Sequence, residues 1–338
     1  MNLLFLVIVG CFLWGCRIRL PGFAEDYISP DNSRCFRGVL AVMVMCYHLA
    51  QQTGDRSLFH IFVYLGFLWV AYFFFLSGYG LQKSYALKPG YRSRILKKRI
   101  PSLLIPYGLL LVVYWGLNWF EGRWIPPVEA LLSTFTSEQL VSYSWYVRGL
   151  ILLYLGFYIS TAWLKGNHIL IPVCNLLAVF VYSAILKQLG FGGYWYNACI
   201  TFPMGILWAI QEEKCLPWIK KHYYGILAML LPVFGGLFVA IMADLVSGGA
   251  LHWVYWGCCT VFVPLVLLLQ LKLTFHNKLL SVLGACSLEI YLLHGFFMML
   301  YRGNHIYIQS PALWSASVII STAISGWAFH RLLQKCGK

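Results

Sequence analysis

The sequence predicts an all-α fold: a polytopic membrane helix bundle with a ten-span core and one extra N-terminal span. Three observations predict it. Of the 338 residues 60% are hydrophobic and only 11% charged, with a mean hydropathy of +0.73, where a soluble domain carries about 25% charged residues. Ten long apolar segments follow the first polar stretch, near residues 36–53, 59–82, 102–120, 144–164, 168–188, 194–211, 223–243, 251–271, 280–300 and 312–333. Most reach the roughly 20 residues that a bilayer crossing needs. Finally, the basic residues are asymmetric. With the start of 36–53 placed in the cytoplasm, 20 of the 25 Lys and Arg fall on the cytoplasmic side, while Arg56, Arg123, Arg148, Lys187 and Arg302 fall on or near the outer side. The positive-inside rule then fixes the topology and a cytoplasmic C-terminus. It also accounts for the net charge of +14 without a nucleic-acid partner.

Residues 1–16 form a separate hydrophobic segment. Asn2 to Cys16 is apolar but only about 22 Å long as a helix. No basic residue precedes it, and Arg17 and Arg19 follow directly. That pattern favours an extra span with its N-terminus outside over the core of a signal peptide. Residues 34–333 then make the ten-span domain and 334–338 a cytoplasmic tail. The longest polar connections are 17–34, 83–101 and 121–143, so chemistry is expected within the bundle or at its two mouths. The eleven cysteines show no CxxC and no Cys/His metal spacing. They read as small buried residues, and no metal site is expected.

The first core span carries the most informative pair, Arg37 and His48, inside the run CFRGVLAVMVMCYHL. Eleven residues of α-helix make three turns plus about 20°, so both side chains share one face about 16 Å apart. Ionisable groups are costly in hydrocarbon and mark function by default. The stripe suits a ligand threaded along the helix, with an anionic head at Arg37 and a reactive end at His48, the two facing a common cavity.

The second span ends in FFFLSGYGL, where Ser77, Gly78 and Gly80 lie together. Small residues there serve close helix packing or open room beside the helix for a ligand chain. The loop that follows, Lys83 to Arg99, holds seven basic residues in seventeen. It suits anionic lipid or the phosphates of a cytoplasmic cofactor, for which Arg94 and Arg99 are better shaped than the lysines. The fourth span opens on Ser144-Trp145-Tyr146, with Arg148 one turn on, placed to contact an acceptor or to snorkel to headgroups. The sixth is short and carries Asn197, Thr201 and Pro203, as expected of a span inside a bundle. In the ninth, Ser287, Tyr291 and His294 form one polar stripe. Glu289 lies elsewhere at mid-depth and needs a partner or a proton. The other histidines (His60, His168, His222, His252, His276, His305, His330) fall at span ends and read as interfacial.

These motifs occur in an order that resembles acyltransferase family 3: Arg37-x10-His48, then Phe73–Tyr79, then a basic loop running into Leu103-Leu104-Ile105-Pro106-Tyr107, then Ser144-Trp145-Tyr146, then Ser287–His294. The resemblance runs from residue 34 to 333. It implies an integral-membrane O-acyltransferase of the bacterial cytoplasmic membrane acting on surface glycans or other hydroxylated acceptors. Arg37 and His48 match that family's essential arginine and histidine. Arg99 matches the first of an arginine pair; Ser102 stands where the second is expected, leaving Arg94, Lys97 or Lys98 to compensate. Trp69 stands where a small residue is expected. The hydrolase-like C-terminal domain of some members is not expected here, so transfer would finish in the bundle or with a partner.

The expected donor is acetyl-CoA or another short acyl-CoA, its phosphates at Arg37, Arg94 and Arg99 and its arm passing Ser77 and Gly78. The expected acceptor is a glycan near Trp145, Arg148, Tyr291, His294 and Glu289. His48 serves as general base or as an acyl carrier. Two other classes remain open: a transporter or flippase of a lipid-linked saccharide, which calls for inverted repeats and paired broken helices that the sequence does not display, and a non-catalytic partner in an envelope complex.

Overall fold

The computed structural model describes residues 1–54, 57–164 and 167–336. Arg56, Lys165 and Lys338 of the charge distribution lie outside them. The chain builds α1 (Asn2–Leu13), α2 (Pro30–Thr53), a 3-10 helix (Leu58–Tyr64), α3 (Gly66–Leu87), α4 (Tyr91–Arg94), a π-helical turn (Ile95–Arg99), α5 (Pro101–Phe120), α6 (Pro127–Leu132), α7 (Trp145–Trp163), α8 (Leu170–Gln188), a 3-10 turn (Gly193–Trp195), α9 (Thr201–Lys221), α10 (Tyr223–Met242), α11 (Gly248–Lys272), α12 (Lys278–Ala285), α13 (Ser287–Leu300) and α14 (Pro311–Cys336). The only sheet among the described residues pairs β1 (Cys16–Ile18) antiparallel with β2 (Leu273–Phe275). The protein is an all-α membrane bundle.

Every predicted core span has a helical counterpart. Five stretches are long and apolar enough to cross a membrane unaided: α4 through α5, α8, α10, α11 and α14. Two bent pairs raise the number to seven: the 3-10 helix with α3, at 55°, and α12 with α13, at 80°. The remaining three, α2, α7 and α9, have 24, 19 and 21 residues. They are span-length but polar in places, and they lie where the bundle can pair those groups.

Three expectations need correction. The second and ninth spans are broken, so the paired broken helices that the sequence does not display are present. The sixth helix begins at Thr201 rather than near 194, because Gly192-Gly193 and the turns after them keep residues 193–200 out of it. The helix then runs on through Glu212, whose carboxylate accepts from Tyr27 Oη (2.6 Å) and Tyr79 Oη (2.8 Å) and pairs with Lys83 Nζ (2.8 Å). The last helix continues to Cys336, into the predicted tail. The N-terminal apolar segment forms α1, 12 residues long, or about 18 Å. It is pinned at both ends: Leu58 N–H donates to Asn2 Oδ1 (2.9 Å), and Asn277 Nδ2 donates to the carbonyls of Cys11 and Trp14 (both 2.9 Å).

α2 starts six residues before the apolar run. Ser29 caps it, its hydroxyl accepting from Asn32 N–H at 3.3 Å, with Pro30 in the first turn and Gly54 ending it in the left-handed conformation (φ 58°). These are standard start and stop devices. α2 is held against α12 by reciprocal glycines. A Cβ on Gly284 would fall 1.7 Å from the Arg34 carbonyl oxygen, and one on Gly38 would fall 2.1 Å from that of Leu280. α3 meets α9 the same way, through Gly78 against Phe202 O and Gly205 against Phe75 O, each at 2.1 Å from the missing Cβ. Both contacts fix helices that carry the site.

Candidate active site

Two cavities open along the Arg37–His48 face of α2. The smaller, about 230 Å³, lies toward the basic end of the bundle and is lined by Arg37, Ser77, Gly80, Arg99, Tyr146, Tyr154, Ser287 and Tyr291 among others. Among the described residues no Asp or Glu lines it, so it presents two guanidinium groups with no counter-charge from them. Arg37 Nε is buried with no hydrogen-bond partner among the described residues. Arg99 is oriented by Tyr91, whose Oη accepts from Nε at 2.7 Å. Ser102, in the place of the second arginine, donates to the Arg99 carbonyl at 2.7 Å and finishes that turn instead.

The larger cavity, about 850 Å³, lies at the opposite end, and His48 is in its wall with Gln51, Tyr143, Trp145, Tyr194, Lys187 and His252. Its size falls in the roughly 300–1,000 Å³ range of small-molecule sites. The single common cavity expected for Arg37 and His48 is thus two, which share Val70 as a lining residue. The breaks in the second and ninth spans adjoin them: Gly66 and Phe67 line the large cavity, Ser287 and Leu288 the small one.

His48 is buried and closely held. Nδ1 donates to Gln51 Oε1 at 3.3 Å, which leaves Nε2 with its lone pair. Tyr143 stacks on the imidazole, ring centroids 3.6 Å apart and planes 25° apart. His294 lies 5.1 Å away at 21°. Tyr143 takes a left-handed backbone (φ 64°), rare for a bulky residue and a mark of functional strain. Its carbonyl accepts from Tyr291 Oη at 2.5 Å. His294 Nδ1 donates to the Tyr291 carbonyl at 2.6 Å, and its Nε2 is buried with no partner among the described residues.

The eleven predicted site residues therefore separate. Arg37, Arg99, Ser77 and Tyr291 line the small cavity, His48 and Trp145 line the large one, and His294 stands behind His48. Four are elsewhere. Gly78 packs on α9, and Gly80 is the glycine that opens onto the small cavity. Arg94 is exposed and lines neither cavity. Arg148 donates from one guanidinium nitrogen to the carbonyls of Thr134 (2.6 Å) and Thr136 (2.8 Å) and lies over Trp195, tying a loop to α7. Glu289 sits in the first turn of α13, because the ninth span breaks just before it, and pairs with His330 Nδ1 of α14 at 2.8 Å. Two of the histidines at span ends have specific side-chain partners: His330 pairs with Glu289, and His252 is bonded to Asn197 Oδ1 at 2.9 Å.

Sequence reasoning missed Gln51, Tyr143 and Val70. Gln51 follows His48 by three residues and so shares its helix face, a signal that was there to read. Tyr143 depends on a left-handed turn in a loop, and Val70 on how α2 and α3 meet; neither leaves a trace in local pattern. No cluster of three His, Cys, Asp or Glu side chains among the described residues is placed to hold a metal.

Comparison with known proteins agrees with this architecture. No curated protein and no solved structure matches the chain significantly. The acyltransferase domain of family 3 matches residues 31–331, nearly the whole chain, from the first turn of α2 into α14, and so takes in both cavities. The chain therefore belongs to acyltransferase family 3 and is a membrane acyltransferase.

Proposed function

We propose that the protein moves a short acyl group, acetyl in the first instance, from cytoplasmic acyl-CoA to a hydroxyl of an extracytoplasmic or lipid-linked glycan. The observation that carries this reading is the imidazole of His48 in the wall of the large cavity, its Nδ1 held by Gln51, on the same α2 face as Arg37 in the small one, whose Nε has no partner among the described residues. The phosphates of acyl-CoA match Arg37 and Arg99, since guanidinium forks suit phosphate. The thioester then advances along α2 toward Val70. The acceptor occupies the large cavity beside Trp145. His48 Nε2 takes the hydroxyl proton as the oxygen attacks the thioester carbonyl. The C–O ester bond forms, the C–S bond breaks, and the proton passes to the departing CoA thiolate. In a two-step variant Nε2 itself accepts the acyl group and releases it to the hydroxyl.

The test follows acetyl-CoA-dependent thiol release and acetylated product by mass spectrometry, for wild type and His48→Ala purified at equal yield. Loss of at least a thousandfold in turnover with retained folding is expected; normal turnover in the variant sinks the assignment. The two broken spans also favour a second reading, transport of a saccharide. Export of unmodified saccharide without thioester consumption is the outcome that would select it.

A further inference from the structure

The large cavity carries a charge that attack by a neutral hydroxyl does not need. Lys187, an exposed residue in the last turn of α8, lines it. Among the described residues it is the one Lys or Arg lining that cavity, and no described Asp or Glu lines it. None of the ion pairs among the described residues involves Lys187. Its Nζ reaches to the first turn of α11, 3.8 Å from where a Cβ on Gly249 would stand. The acid on the adjoining loop, Asp244, neither lines the cavity nor pairs with it.

The surroundings are those of a sugar site. Trp145 and Tyr194 present aromatic faces at 6.1 Å from each other, edge to face. Gln139, whose Oε1 accepts from Ser144 Oγ at 3.0 Å, lines it with its amide, and Asn197 is fixed by its bond to His252 (2.9 Å). Amides and aromatic rings read neutral sugar well; an ammonium without a counter-ion on a cavity wall reads an anion. Hydrogen bonds to an ionised partner are about twice as strong as neutral ones.

Building on the acyl-transfer reading above, we infer that the acceptor is an acidic saccharide, bearing a carboxylate or phosphate that meets Lys187 Nζ while a hydroxyl is presented to His48 Nε2. Lys187 is then a specificity-determining residue, and neutral glycans of the same shape are poor acceptors.

The experiment uses the full chain in a neutral maltoside detergent on an array of matched glycan pairs. Uronic-acid oligosaccharides are set beside their carboxyl-reduced twins, and sugar phosphates beside their dephosphorylated twins. Wild type is expected to bind charged members at least tenfold more tightly than their neutral twins. Lys187→Gln should reduce that preference to within twofold, and Lys187→Arg should restore it. Which pair shows the preference separates carboxylate from phosphate. Repeating the array with added phosphatidylglycerol separates a sugar anion from a lipid headgroup, since a preference due to the sugar survives. Four results overturn the inference: equal binding of twins, no charged member bound, a preference kept in Lys187→Gln, or a preference abolished by phosphatidylglycerol. Thiol release from acetyl-CoA in wild type and His48→Ala, run alongside, tests the acyl-transfer reading separately. Wild-type-like release in His48→Ala sinks that reading, whereas His48-dependent transfer to both twins alike sinks only this inference.

Discussion

His48 has two constraints on its orientation, and they act on different parts of the ring. Gln51 fixes which nitrogen carries the hydrogen, and Tyr143 fixes the plane. A base within reach of a hydroxyl loses rate quickly when its geometry loosens, so Tyr143 should matter for turnover more than for binding. Burial pushes the Tyr143 phenol up to about 12. The phenol therefore stays protonated throughout the working range and adds no ionisation below pH 9. Tyr143→Phe is expected to keep both the rate, within about twofold, and the shape of the pH profile. Tyr143→Ala, which deletes the ring, should lower kcat about tenfold or more, or about 1.4 kcal/mol, with KM for acetyl-CoA little changed. Steady-state kinetics across pH 6–9 checks both. A Phe variant as slow as Ala would mean that the hydroxyl, not the ring, does the work. At the same scale Glu289 acts as a packing residue: its carboxylate joins α13 to α14 through His330 and is absent from both cavity walls.

At the scale of elements, helix positions were legible because a membrane span must be long and apolar, and the polar stripe of α2 was legible because helical spacing brings Arg37 and His48 onto one face. The breaks were not. The chain turns by 80° between α12 and α13, at Cys286, inside what reads as one span, and hydropathy is blind to direction. The break moves Glu289 from the middle of a presumed span to the start of a helix, which brings its carboxylate to His330. The start of α2 could have been read earlier, since Ser29-Pro30-Asp31 is a cap sequence. What holds α2 in place is its glycine contact with α12, and this gives a prediction. Gly284→Ala would put a methyl 1.7 Å from the Arg34 carbonyl oxygen. The backbone there cannot yield as a side chain would, so the helices must separate, at a cost of about 1–3 kcal/mol. Arg37 lies one turn beyond Arg34 on the strained segment. The expected result is a lower Tm in detergent together with weaker acetyl-CoA binding. Gly80→Ala, at a position with no atom within 4 Å of the new Cβ, should leave Tm unchanged. A Gly284→Ala protein as stable as wild type would show that the α2–α12 contact is more yielding than the geometry implies.

Across the whole molecule, the proposed acyl transfer places donor and acceptor in different compartments. Guanidinium groups without counter-charge line one cavity; the imidazole, aromatic rings and amides line the other. An acyl group that starts in the first and ends in the second has to cross the wall between them, and Val70, 5% exposed, belongs to both linings. It stands on α3 between Phe67 of the large cavity and Phe73 of the small one, and among the described residues it is the one lining residue the two share. Size at this one residue should therefore control passage without touching the groups that hold either substrate. Val70→Trp is expected to leave CoA binding within about twofold while cutting acetyl transfer about a hundredfold. Val70→Ala should keep acetyl transfer and extend it to propionyl and butyryl donors. Because a larger side chain in a packed wall can cost about 1–3 kcal/mol on its own, Tm is measured for both, and the Ala variant carries the comparison if the Trp variant is unstable. Wild-type transfer in a folded Val70→Trp protein, joined to unchanged donor length preference in Val70→Ala, would place the acyl route somewhere other than along α2.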